Sequence, residues 1–388
     1  MNICFFTIHP VLPVIGGVER ITTNLADYFA SPEGGGHHCM LLSVKPHAAD
    51  DLRLYSLPSR WKNSPTNRAF FARFLQDHKI DVVIWQNGGS HRFLFAPECR
   101  KQGVRAISVS HGQPDYYRHA GLSKMLGFDP TGKVNPLKRL KFQLKMKWKD
   151  GVYRRLFAYN TRWADAYVLL SERYVECFKS YFPEGHVPCP VYGIGNACKP
   201  AERVGDPGEK KKELLFVGRL SYAHKRPDYL LRIWARLEDR FPDWRLRLVG
   251  SGEDELALKA LASRLGLKRV SFEGFQDPRP YYRDAAVFCM TSAHEGFPMV
   301  LGEAAGFGCI PVAFESFDAV RDLVVDNENG ILVPAFDLDL YAQRLEELMC
   351  DEARRARLSR SALGMPEKFS EARVGARWSD VLNGTRSC

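Results

Sequence analysis

The chain has no apolar run of about eighteen residues, the length a bilayer-spanning helix needs, so no such helix is expected. It has no Cys-x-x-Cys pair: its ten cysteines are scattered, which argues against a zinc site and fits reduced, mostly buried thiols in a cytoplasmic protein. The N-terminus, MNICFFTIHPVLPVIGG, lacks a basic leader and a small-residue cleavage site. It reads as a first strand and loop, not a signal peptide. No nucleic-acid-binding module is recognisable, so nucleic acid is not expected as a partner. Acid is the minority charge, with 45 Asp and Glu against 55 Lys and Arg, a formal net charge of +10. That balance points to an anionic partner such as phosphates or a membrane surface. What is present is ordinary: 388 residues, 45% hydrophobic and 26% charged, enough for two globular domains with a core each.

Buried strands are predicted over 2–8, 37–44, 81–86, 104–110 and 165–171, with helices between them. Such alternation makes a parallel α/β sheet. The pattern restarts at 213–218 after a polar, Gly- and Pro-punctuated stretch. We therefore expect two parallel-sheet α/β domains: 1–196, a linker at 197–212, 213–365, and a C-terminal helix within 366–388.

In such sheets ligands bind beyond the carboxyl ends of the strands. The most telling strand end is T-S-A-H-E-G-F-P-M-V-L-G-E, from Thr291 to Glu303. Pro298 suits the first position of a helix, where its missing N–H costs nothing. The N–H groups of Phe297, Met299 and Val300, after the turn at Gly296, would then face an anion, favoured by the helix dipole. Glu295 and Glu303 bracket that cradle. Carboxylates accept hydrogen bonds only, so each suits a hydroxyl-bearing partner such as a sugar or a ribose. Two surface glutamates on an ordinary strand–helix unit would have the same spacing. Other strand ends carry Gly16-Gly17, His111, Gly218-Arg219 followed by Lys225, Gly250-Ser251 and Phe275. Arg219 and Lys225 together could neutralise a diphosphate.

The order of these motifs resembles the retaining glycosyltransferases of family 4, whose E-x7-E signature is matched by Glu295 and Glu303. The resemblance covers nearly the whole chain. It is strongest over 214–333 and loose over 50–162. It implies the GT-B architecture, two Rossmann-like domains facing across a cleft, with the first on the acceptor side and the second binding the nucleotide sugar. It also implies that the C-terminal helix returns to the N-terminal domain. By the same resemblance Gly16 and Gly17 lie against the donor diphosphate and the acceptor, and His111 contacts the donor sugar. Gly218, Arg219 and Lys225 hold the phosphates, and the region of Gly250, Ser251 and Phe275 wraps the base. Glu295 touches the sugar hydroxyls and Glu303 the ribose. The implied reaction moves a sugar from a nucleoside diphosphate, uridine diphosphate by default, to an acceptor hydroxyl with retention and without a metal cofactor. The acceptor would be a glycan or glycolipid of cell-surface polysaccharide or lipopolysaccharide biosynthesis. A nucleotide-sugar epimerase or phosphorylase on the same fold stays open, as does a non-catalytic, membrane-associated nucleotide-binding protein.

Two further stretches need a reading. Residues 133–156 carry Lys138, Arg139, Lys141, Lys145, Lys147, Lys149, Arg154 and Arg155 against the single acid Asp150, interleaved with aliphatic and aromatic residues. That mixture suits a segment lying on an anionic membrane surface, such as the inner face of the plasma membrane, although the apolar spacing reads as irregular. Asp337-Leu338-Asp339 is nominally a metal-binding D-x-D, but at a helix start an Asp is simply a cap, so no metal is expected.

Overall fold

The short apolar runs become parallel strands, and the computed structural model describes residues 1–11, 17–46, 53–59, 61–126, 135–198 and 210–384. Gly16, residues 133–134 of the basic segment and most of the expected linker lie outside the described residues. The first elements are β1 (Asn2–Thr7), α1 (Gly17–Ala30), β2 (His38–Ser43), β3 (Leu54–Ser56), α2 (Pro65–Asp77), β4 (Val82–Trp85), α3 (Ala96–Lys101), β5 (Arg105–Ser110), α4 (Tyr116–Leu126), α5 (Pro136–Trp163), β6 (Ala166–Leu169), α6 (Arg173–Lys179) and β7 (Val191–Gly193). The chain continues with β8 (Lys211–Val217), α7 (Pro227–Trp234), β9 (Arg245–Val249), α8 (Glu255–Arg264), β10 (Val270–Gly274), α9 (Arg279–Asp284), β11 (Ala285–Met290), α10 (Met299–Gly306), β12 (Ile310–Phe314), α11 (Val320–Leu323), β13 (Ile331–Val333), α12 (Leu338–Cys350), α13 (Glu352–Ala362) and α14 (Glu371–Asn383).

The first sheet runs β3-β2-β1-β4-β5-β6-β7 and the second β10-β9-β8-β11-β12-β13. Every pairing is parallel. Both sheets reverse direction next to their first strand, between β1 and β4 and between β8 and β11. Those two points are where a doubly wound sheet opens a crevice for a ligand. Full burial explains the composition of the central strands: Ile3, Cys4, Phe5 and Phe6 in β1 and Leu214 and Leu215 in β8 are wholly buried. Phe6 packs on Trp85 and Phe71, with ring centroids at 4.8 and 5.4 Å, joining β1 to β4 and α2. In the second sheet Tyr341 of α12 donates its buried hydroxyl to the Val312 carbonyl at 2.6 Å.

Caps end the helices where the sequence supplies them. Ser64 accepts from the Asn67 N–H at 3.1 Å, with Pro65 in the first turn of α2. Asp337 accepts from the Leu340 N–H at 2.9 Å and Asp339 pairs with Arg236 at 2.9 Å, so both acids of the nominal D-x-D have structural partners. β3 and β7 are not among the strands expected from the sequence. Each is a three-residue edge strand, too short for a period to show, and β7 follows Pro190 in a proline-rich stretch.

The chain divides into two compact units. One comprises Met1–Pro114, Lys147–Ala197 and Glu371–Cys388; the other comprises Asp115–Met146 and Cys198–Ser370. Residues 115–146, inside the stretch 1–196 taken above as the first domain, thus group with the second unit, and α5 runs through the division.

Candidate active site

The carboxyl ends of the second sheet are laced together by backbone. Gly218 N–H donates to Val249, Leu220 N–H to Ser251 and Gly250 N–H to Gly274, at 3.0, 3.0 and 2.7 Å. Gly250 has φ +135°, and a Cβ there would lie 2.0 Å from the Gly218 carbonyl oxygen. The loops after β8 and β9 therefore touch main chain to main chain, which only glycine permits. Arg219 follows directly and is exposed.

Two more loops meet at the switch point. Ala293 N–H donates to the His224 carbonyl at 2.8 Å and the Thr291 hydroxyl to the Arg226 carbonyl at 2.9 Å. These bonds fix Lys225, after β8, against Glu295, after β11: Nζ lies 2.7 Å from Oε1. His224 Nε2 lies 3.7 Å from the other carboxylate oxygen. Burial alone would raise the Glu295 carboxyl. The charges of Lys225 and His224 and the hydrogen bond from Lys225 together outweigh it and hold the group at about 2. His224 and His294 stack at 4.5 Å. Burial pushes both imidazoles down, His294 to about 4, with His224 adding to the effect. At neutral pH this is an ionised Lys–Glu pair beside two neutral imidazoles. Close by, the Ser221 hydroxyl donates to Glu253 at 2.7 Å. Glu253 is held low by a backbone hydrogen bond and by Ser221, with Arg219 contributing its charge.

Arg226, adjacent to Lys225, anchors this loop. It is 3% exposed, adopts φ +51°, and grips Asp228 with Nε–Oδ1 at 3.0 Å and Nη2–Oδ2 at 2.8 Å. Its third nitrogen donates to the Ser123 hydroxyl and carbonyl of α4, at 2.8 and 3.1 Å. Burial nevertheless raises the Asp228 carboxyl.

The start of α10 differs from expectation by one residue. Pro298 occupies the cap, with φ −82° and ψ 81°, and the helix begins at Met299. The Met299 N–H donates to the Phe297 carbonyl at 3.0 Å, so it is already engaged instead of standing free for an anion. A ψ near 80° folds the cap into a tight turn that brings those two groups together. Phe297 is buried against Phe369, ring centroids 4.9 Å apart, and its side chain serves the core. Gly296 and Val300 are half-buried beside it. Glu303 accepts from the Tyr282 hydroxyl at 3.3 Å. Phe275 stands 76% exposed after β10.

The first unit offers a different environment. A small cavity of about 30 Å³ is lined by Tyr28, Gln86, His111, Asn196, Glu371 and Trp378, among others. His111 Nε2 lies 2.5 Å from Gln86 Oε1. That oxygen only accepts, so Nε2 carries the hydrogen and Nδ1 is left as a lone pair. Nδ1 is buried and has no partner among the described residues. Burial holds this imidazole at about 4, neutral at physiological pH. Gly17 opens α1, and a Cβ there would meet nothing within 4 Å, so packing does not demand a glycine.

The structure thus gathers Gly218, Arg219, Lys225, Gly250, Ser251 and Glu295 at the carboxyl ends of the second sheet, with Glu303 on α10, and places His111 and Gly17 in the first unit. The sequence reading missed Gln86, His224, Arg226, Tyr282 and His294. Three of these were signalled by adjacency, since His224 and Arg226 flank Lys225 and His294 precedes Glu295. Gln86 was signalled as the polar residue closing an otherwise apolar strand.

Two family models match this chain: Glycosyltransferase Family 4 over residues 15–191 and Glycosyl transferases group 1 over residues 201–364. Between them they take in most of the sequence, each covering less than half of it. Among curated relatives, an uncharacterized glycosyltransferase of Haemophilus influenzae is 34% identical over 175 residues, 45% of this chain and 49% of that protein. The chain spans about half the length of the curated relatives it matches. Among solved structures, the apo form of the lipopolysaccharide outer core galactosyltransferase WaaB is 20% identical, covers 99% of each chain and has a TM-score of 0.68. Anabaena HepE in complex with UDP is 17% identical, covers 99% of this chain and 100% of its own, and has a TM-score of 0.72. At these identities the structures establish the shared fold.

Proposed function

We propose that the chain transfers a sugar from a nucleoside diphosphate, with uridine as the base, to a hydroxyl of a glycan or glycolipid acceptor, with retention at the anomeric carbon and no metal ion. The observation that carries this reading is the Lys225–Glu295 pair at the β8/β11 switch point with Arg219 beside it. A fixed cation there meets the charge that grows on a leaving diphosphate. Such preorganised donors are worth roughly 10²–10³ in rate each. Lys225 has three hydrogens and Glu295 takes one, so the ammonium can hold carboxylate and phosphate together. Glu295, ionised throughout the physiological range, is an acceptor for sugar hydroxyls, and Glu303, steadied by Tyr282, for the ribose. Neutral His111 presents a lone pair to a hydroxyl hydrogen.

UDP in the HepE structure supports the choice of base, and the lipopolysaccharide galactosyltransferase supports an acceptor among cell-surface glycans. Nine described cysteines are free and seven of them buried, which fits a reducing cytoplasm.

The test is incubation of the purified chain with a panel of nucleotide sugars and glycolipid acceptors, with mass detection of nucleotide and product. Release of UDP that depends on acceptor, unaffected by EDTA, with a product anomer matching the donor by NMR, is the expected result. A donor sugar altered in the absence of any acceptor would identify an epimerase instead. Absence of calorimetric heat with every nucleoside diphosphate would remove the enzyme reading altogether.

A further inference from the structure

We propose that α5 is a membrane-docking ridge that takes the surface of an anionic phospholipid bilayer. This inference is independent of the reaction assigned above. Leu137, Leu140, Leu144, Trp148 and Val152 are 68, 53, 59, 67 and 42% exposed. They recur at intervals of three and four residues along one helix. At about 100° per residue they share an arc of roughly 120° and a length of about 22 Å. Five large apolar side chains in one row on the surface are what a soluble domain avoids unless the row has a partner.

The opposite face explains why the sequence looked irregular here. Met146 and Phe157 are buried, and Phe142 and Tyr153 are half-buried. The helix thus has two apolar stripes, one spent on its own core and one facing outward, and together they cancel a single period.

Charge selects the occupant. Lys141 and Lys145 lie along one side of the row and Lys147 and Arg154 along the other, all exposed. Over the helix as a whole the charged residues are basic apart from Asp150. An apolar stripe bordered by cations fits the boundary of an anionic bilayer: rings and aliphatic groups enter the acyl region while ammonium groups reach phosphates. A second copy of this chain would set the same positive borders against one another, which disfavours self-pairing through this face. No helix among the described residues is long and apolar enough to cross a membrane, so α5 lies on the surface and does not span it.

The test is sedimentation of the full chain with vesicles of phosphatidylcholine alone or containing 30 mol% phosphatidylglycerol, without donor or acceptor. The chain should partition at least tenfold more strongly onto the anionic vesicles. Leu144→Glu/Trp148→Glu and, separately, Lys141→Glu/Lys145→Glu should each weaken that partition at least tenfold. Leu256→Glu, which alters an 84%-exposed leucine elsewhere, should leave it unchanged. All the altered side chains are exposed, and circular dichroism confirms that each variant is folded. Trp148 fluorescence should shift to the blue on anionic vesicles, and the shift should be missing in Trp148→Phe. Equal binding to both vesicle types, unaltered binding by both double variants, or no vesicle binding with a concentration-dependent dimer that Leu144→Glu/Trp148→Glu dissolves would each overturn the proposal.

Discussion

The two sheets share one strand order and differ in what stands at their switch points. At β8/β11 the chain places an ion pair, a second cation and two neutral imidazoles within a few residues of one another. Beside β4 and β5 it places a glutamine and a neutral histidine in a largely apolar cavity. The same crevice geometry has thus been given opposite electrostatics. One presents fixed positive charge, which suits an anionic partner. The other is largely apolar, with Gln86, neutral His111 and the Glu371 carboxylate as polar groups in its wall. The lesson is that a doubly wound sheet fixes where a ligand sits, and a handful of loop residues fix its chemistry.

The contrast can be broken most forcefully at Arg226. Arg226→Ala leaves Asp228 buried without its fork, at a cost of about 3–5 kcal/mol in unfolding free energy. Hydrogen exchange should rise within residues 210–370 and stay level across β1, β4 and β5; uniform loss of protection would show that the two units do not differ in this respect. Next in size, Arg219→Ala and Lys225→Ala should each lower kcat by about 10²–10³ with the circular dichroism spectrum retained. Near-normal turnover in both would remove the electrostatic role given to this crevice. Gly250→Ala forces a side chain against the Gly218 carbonyl at a positive φ, and should cost about 1–3 kcal/mol together with nucleotide binding measured by calorimetry. Retained affinity would mean that the two loops can part without consequence.

The smallest effect concerns protons. The His111 imidazole sits at about 4 in the folded chain against an ordinary 6.5, so the unfolded chain binds more protons between those values. Stability therefore rises with pH through that window, and the fall from pH 7 to pH 5 should cost on the order of 1–2 kcal/mol from this group. Glu295 works lower down: its contribution is complete above 4.5 and is lost as pH falls toward about 2. Urea unfolding of the wild type and His111→Gln at pH 5 and 7 measures the first effect. The same loss in both proteins would mean that the histidine is not the group responsible.

Much of this was legible in advance because local patterns carry it. Apolar runs of four to seven residues, alternating with helical stretches, announced most of the parallel strands and hence the strand ends where a doubly wound sheet takes ligands. Asp337 was readable as a cap because capping is a local hydrogen bond. What the local pattern could not carry was contact at a distance. Lys225 and Glu295 are 70 positions apart, and neither residue type announces that one will hold the other. Arg226 looked like one more basic loop residue until Asp228 and Ser123 closed on it.

By itself the sequence determined the alternation of strands and helices, the glycine turns and the supply of cations and carboxylates at strand ends, since each depends on residues within a turn or two of one another. Only the tertiary structure decided which charges became partners, which imidazoles were stripped of water and kept neutral, and which of the two apolar stripes on α5 faced outward. Those outcomes depend on what the rest of the chain packs against a side chain, and desolvation and pairing are set by neighbours that no local spacing records.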